Sequence, residues 1–118
     1  MIGSLLRRVR FWLSGWFRPA PPARYALAYV DSDELPSVIP DRTVVVAREA
    51  GELWSAGLIC PCGCGRRIEL MLLPKVKPRW DIRESQNERP TLWPSIWAND
   101  GCRSHFWLRD GMVEWCKD

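Results

Sequence analysis

Three cysteines within five positions, in the run Cys60-Pro61-Cys62-Gly63-Cys64-Gly65, are the residues of this chain best placed to do chemistry. Proline and glycine between them suit a tight turn. Such a turn can bend several sulfurs toward one cation while free backbone N–H groups point at them. A zinc ion takes four such ligands in a tetrahedron. Cys62 and Cys64 alone are too close-spaced for the commonest C-x₂-C finger, but Cys60 or the distant Cys102, His105 and Cys116 can complete a set, and the sequence does not select which four bind. The competing readings are reduced thiols in a turn, or two disulfides with one cysteine left over. Near-neighbour cysteines pair poorly with one another and five is an odd count, so a metal knuckle is the expectation. A ligand set dominated by thiolates is usually closed, which makes the expected zinc structural.

The second candidate chemistry is a hydroxyl beside an imidazole. His105 is the single histidine, and Ser104 directly precedes it. On a strand, adjacent side chains point to opposite faces, so these two make a poor nucleophile and base unless a bulge twists them together. Ser95 is geometrically better. It follows Pro94 in Arg89-Pro-Thr-Leu-Trp-Pro-Ser-Ile-Trp97, and a neighbouring strand can bring its hydroxyl within hydrogen-bond reach of the imidazole. Glu69, Asp81 and Glu88 are the nearest candidates to orient the ring, and nothing in the sequence selects among them. The alternative for Ser95 is a turn hydroxyl that caps a backbone N–H.

The elements that must position these groups read as strands. Runs rich in Val, Ile, Trp and Tyr span 25–30, 43–48, 57–60, 67–73, 79–83, 92–97, 105–109 and 112–116, with Pro or Gly between them. Asp110-Gly111 is a strong two-residue hairpin signal. It puts Cys102 just before one strand and Cys116 at the end of its partner, at one end of the hairpin. Asp31 to Leu35, opening on acidic and capping residue types, predicts a short helical turn. Residues 25–118 are therefore expected to form one compact, mainly β (small α+β), zinc-stabilised domain.

Ahead of it, residues 1–18 form a basic amphipathic helix on the wheel. Ile2, Leu5, Leu6, Val9, Trp12, Leu13, Trp16 and Phe17 line one side, and Arg7, Arg8 and Arg10 the other. Such a helix can lie on an anionic membrane, on the protein's own core or on a partner. Arginines interrupt every apolar run well short of the roughly 20 residues a membrane span needs. The apolar stretch is also too short and split for a signal peptide. Residues 19–24, with Pro19, Pro21 and Pro22, stop the helix and make a stiff linker.

The 118 residues suffice for one domain with a real, though not generous, core, to which a structural metal would add. Eight tryptophans, most of them between Trp80 and Trp115, supply core or a binding surface. Net charge is +3, but the first 24 residues hold five arginines and no acid, which leaves −2 for the remainder. A general nucleic-acid binder would carry its positive charge on the domain itself, so that class is disfavoured. Reduced cysteines with metal-like spacing imply the cytoplasm, with peripheral association to the inner membrane left open by the N-terminal helix.

The segments Cys60 to Gly65, Arg89 to Ile96 and Cys102-Arg-Ser-His-Phe-Trp-Leu-Arg-Asp-Gly111 together resemble a family of small bacterial and phage zinc-binding proteins of formerly unknown function. Some of its members are encoded beside bacterial ubiquitin-like, E1-like and E2-like proteins. The resemblance implies those proteins as partners. In the family pattern a Cys-His pair precedes the Asp-Gly turn, with a further Cys and His after it. Here Ser104 stands where the Cys would be, His105 keeps its place, and no later histidine exists. That departure favours a metal held by cysteines alone and frees His105 to act as a base. The expected function is then an accessory peptidase that trims or removes the ubiquitin-like protein with Ser95 or Ser104 as nucleophile. The alternative is a non-catalytic, zinc-stabilised adaptor for that protein or its conjugating enzyme.

Overall fold

Eight strands make up the regular structure of residues 24–98 and 101–116, the part of the chain that the computed structural model describes. The amphipathic helix expected over residues 1–18, and nearly all of the linker, lie outside these residues. The strands are β1 (Ala26–Asp31), β2 (Thr43–Glu49), β3 (Glu52–Ile59), β4 (Arg67–Met71), β5 (Asp81–Glu84), β6 (Pro90–Trp97), β7 (His105–Arg109) and β8 (Met112–Trp115). They form two four-stranded sheets, each in sequence order, β1-β2-β3-β4 and β5-β6-β7-β8. The mainly β expectation holds, and no helix occurs among the described residues.

Period-2 alternation explains why the sheets face each other. Val44, Val46, Ala56, Leu58, Ile68 and Leu70 from the first sheet meet Leu92, Ile96, Phe106 and Leu108 from the second in one buried core. Tyr25 seals its edge: its N–H reaches Gly111 O, and its hydroxyl donates to Ile59 O at 3.1 Å. Burial pushes that phenol up to about 12.

β1 and β2 run parallel, so the chain must cross over between them. Residues 32–42 make that crossover without a helix. Asp31 to Leu35, expected as a helical turn, is instead the end of β1 and a bend in which Ser32 Oγ accepts the Glu34 N–H. A serine hydroxyl can close a local turn as readily as it caps a helix, and only the former is used. The crossover returns over the outer face of the first sheet. A Cβ on Gly57 would come within 2.5 Å of Ile39 Cδ1 and 2.9 Å of Leu35 Cδ1. Arg67 Nη1 fixes this roof by donating to Pro36 O and Ser37 O.

The hairpin read from Asp110-Gly111 is present, with φ of 50° and 77° at the two positions. Both positive angles match the primed turn that suits strand twist. A Cβ at Gly111 would also lie 2.8 Å from Tyr25 O. Gly111→Ala is therefore expected to destabilise the protein by about 2–3 kcal/mol, combining left-handed strain with a backbone clash. Chemical denaturation of the two proteins checks this.

Candidate active site and cysteine knuckle

β6 and β7 position both groups of the hydroxyl–imidazole pair. Ile96 pairs with Phe106, and both point into the core, so Ser95, Trp97 and His105 are directed to the outer face of the second sheet. Trp97 stands directly across from His105. The ladder is not regular, however. Leu92 pairs with Leu108 and Ile96 with Phe106, so three residues of β6 oppose one of β7. Pro94, which strict alternation would bury, is exposed in that bulge. Bulges re-aim side chains and gather beside functional sites. Here the outcome is a 2.8 Å contact between Ser95 Oγ and His105 Nε2.

Several contacts hold this pair in place. The Trp80 indole N–H donates to Ser95 O at 3.3 Å. The Cys116 N–H donates to His105 O at 2.9 Å, and the Ala98 N–H to Ser104 O at 2.7 Å. The Trp97 ring stacks on the imidazole with centroids 4.7 Å apart and planes within 8°. Of the three carboxylates considered for orienting the ring, Glu69 accepts Arg67 Nε at 2.7 Å and Asp81 accepts Arg79 Nη2 at 2.8 Å. Glu88 sits in the turn between β5 and β6, at the far end of β6 from His105.

Ser104 points the other way. It is 7% exposed and lies against sulfur, 3.2 Å from Cys102 Sγ and 3.4 Å from Cys60 Sγ. The two expected serines are thus divided, Ser95 to the imidazole and Ser104 to the thiols, as alternation along β7 requires.

The sulfurs of Cys60, Cys62, Cys64 and Cys102 all lie within 4.8 Å of one another. The first three sit on the turn between β3 and β4, closed by the Cys60 N–H to Arg66 O, with Gly63 and Gly65 at φ of 93° and 79°. Cys102 comes from the β6–β7 connection. The knuckle thus joins the first sheet to the second. Cys116, the fifth expected ligand, stands outside this group at the end of β8, and His105 is engaged with Ser95.

The donor set suits a metal. A tetrahedral thiolate site with bonds of about 2.3 Å, the zinc value, has edges of roughly 3.8 Å. Cys60 Sγ is 3.4 Å from Cys62 Sγ and 3.7 Å from Cys102 Sγ. The Arg66 N–H donates to Cys64 Sγ at 3.4 Å, the kind of contact that supports thiolate ligands. Burial pushes the Cys60 thiol up to about 12, whereas hydrogen bonding to the Ser104 hydroxyl, and then to its backbone, brings Cys102 down to about 6. Ser104, which the sequence offered as a nucleophile, is therefore a supporting contact for the thiols. Its position two residues after Cys102 was the available signal. Ser104→Ala is expected to leave Ser95 and His105 aligned while lowering metal affinity about 10- to 100-fold. Competition with a chromophoric chelator measures it.

The described residues thus combine a β sandwich, a group of four cysteines that could hold a metal ion, and a serine–imidazole pair on the outer face of the second sheet. The family model described as "Bacterial ubiquitination-like system serine protease (BubE)" matches residues 31–116, and the chain belongs to that family. The match includes Ser95, His105 and all five cysteines. No curated protein and no solved structure gives a match. The family links the chain to a bacterial ubiquitin-like pathway, as the three sequence motifs implied.

Proposed function

We propose that this chain is an accessory peptidase of a bacterial ubiquitin-like conjugation pathway, processing the ubiquitin-like protein or removing it from its targets. The observation that carries this reading is the 2.8 Å, half-buried contact between Ser95 Oγ and His105 Nε2 on the outer face of the second sheet. With the imidazole proton on Nδ1, the Ser95 hydroxyl donates to Nε2. As Oγ attacks the scissile carbonyl, Nε2 takes that proton and later delivers it to the leaving amine. Water then enters by the reverse sequence and frees the carboxylate product. Trp97 stacked on the ring restricts its rotation and shields one face from water.

Cys60, Cys62, Cys64 and Cys102 would hold a zinc ion, whose role when bound is to cross-link the β3–β4 turn to the segment that leads into His105. Four thiolates fill a tetrahedral site, so hydrolysis is assigned to the serine. The ubiquitin-like protein, and through it E1-like and E2-like enzymes, are the proposed partners. Because thiolate ligands need a reducing compartment, the proposed location is the cytoplasm, with residues 1–18 available for peripheral contact with the inner membrane. Among the described residues no helix is long and apolar enough to cross a membrane.

The test is to incubate the protein with the ubiquitin-like precursor of its pathway and read intact masses, alongside a pull-down of the same pair. Cleavage supports the peptidase. Binding without cleavage would replace it with the adaptor reading.

A further inference from the structure

The outer face of the second sheet carries more than the hydroxyl–imidazole pair. Trp107 lies two residues beyond His105 on β7, and Trp93 two residues before Ser95 on β6. Arg83 on β5 and Arg109 at the end of β7 flank them. With Thr91 and Leu92 these four residues line a groove of about 430 Å³. Each indole carries a guanidinium: Arg83 Cζ is 4.9 Å from the Trp93 ring centroid and Arg109 Cζ 4.7 Å from that of Trp107. A guanidinium over an indole ring is held by the ring's face and still presents N–H donors to a ligand. Among the described residues no carboxylate lines the groove. The only acid paired with either arginine among the described residues is Glu114, 3.6 Å from Arg109 Nε and half exposed.

We propose that this groove is a specificity subsite for an acidic side chain of an extended peptide substrate. The inference rests on the peptidase reading for its place in catalysis, though not for its binding chemistry. Arg83 and Arg109, the latter shared with Glu114, leave the described lining of the cleft positive and complementary to a carboxylate, which a planar guanidinium can take in bidentate fashion. The indole walls accommodate the aliphatic stem of Glu or Asp. Two strand residues span about 7 Å, so an extended substrate with its scissile carbonyl at Ser95 would place in the groove a side chain about two residues from the cleaved bond.

The test uses the full-length Ser95→Ala protein with ¹⁵N-labelled tryptophan, titrated with three peptides blocked at both ends: Ac-AAEEAA-NH2 and its Gln and Lys counterparts. The Glu peptide is expected to shift the indole N–H signals of Trp93 and Trp107, with affinity about fivefold or more above the Gln peptide. The preference is expected to vanish when Arg83→Gln and Arg109→Gln are added, with the remaining indole signals unmoved as a check on folding. Equal binding of the Glu and Gln peptides, or shifts confined to other tryptophans, would overturn the proposal. Tighter binding of Ac-AAAAAA with a free C-terminal carboxylate would overturn it too, assigning the groove to a chain terminus. A second arm profiles cleavage of a peptide library by the unsubstituted protein. Acid-selective binding with no cleavage sinks the peptidase reading and leaves the subsite standing, whereas cleavage without acid preference sinks the subsite alone.

Discussion

Ser95→Ala is expected to reduce peptide hydrolysis by at least about 10³-fold while metal content and unfolding midpoint stay at the parent values. Ser95 is only half-buried, so losing its hydroxyl removes little packing, and its structural partner, Trp80 Nε1, bonds the Ser95 backbone carbonyl, which alanine retains. His105→Ala should lower the rate by a similar factor. Because nucleophile and base act as one unit, the double variant should be no slower than either single one. Additive losses would mean that Ser95 and His105 do different jobs, and a loss below about tenfold for Ser95→Ala would remove it as the nucleophile. Steady-state rates on one substrate, with metal quantified on the same samples, decide between these outcomes.

Metal removal should be the other large effect. The four cysteine sulfurs bring the β3–β4 turn and the β6–β7 connection together, across the boundary between the two sheets. A metal held there would act like a disulfide that closes a loop of this span and contribute at least about 3 kcal/mol, which for a domain of this size corresponds to roughly 10 °C in melting temperature. Chelation, or Cys60→Ser, should therefore lower the melting temperature by at least that much. Hydrolysis should fall in step, because Ser104 and His105 are consecutive and the sulfurs hold the first of them. Cys116→Ser is the internal control: lying outside the cluster, it should retain both metal and stability. Equal metal loss in the Cys60→Ser and Cys116→Ser proteins would contradict this ligand set.

Much of this was legible because periodicity and turn chemistry speak locally. The alternation in Phe106-Trp-Leu-Arg, closed by Asp110-Gly111, specifies the last hairpin and sets Ser104 and His105 on opposite faces. β3 was less legible. It begins at Glu52, five residues before the expected start, because its two-residue turn pairs Gly51 with Ala50 at φ 54°, and only the glycine signals a positive φ. The helical turn at Asp31 to Leu35 failed for the same kind of reason, a serine serving a bend that also suits a cap. The separation of Cys116 from the other cysteines depends on which sheets meet, a non-local fact that spacing does not carry. The β6 bulge was likewise hidden. Pro94 hinted at irregularity, but how many residues are looped out depends on the register set by Leu108 and Phe106.

The roof that residues 32–42 lay over the first sheet has a consequence for any reagent built against this protein. Of the four faces that two sheets possess, two are pressed together and a third is covered at its centre by Leu35 and Ile39. Among the described residues, what remains open is the tryptophan-lined surface of the second sheet. An antibody fragment or small molecule selected simply for tight attachment to a sheet would thus tend to arrive as a blocker, and a fluorophore meant to report without interfering belongs on the crossover, at the exposed Val38.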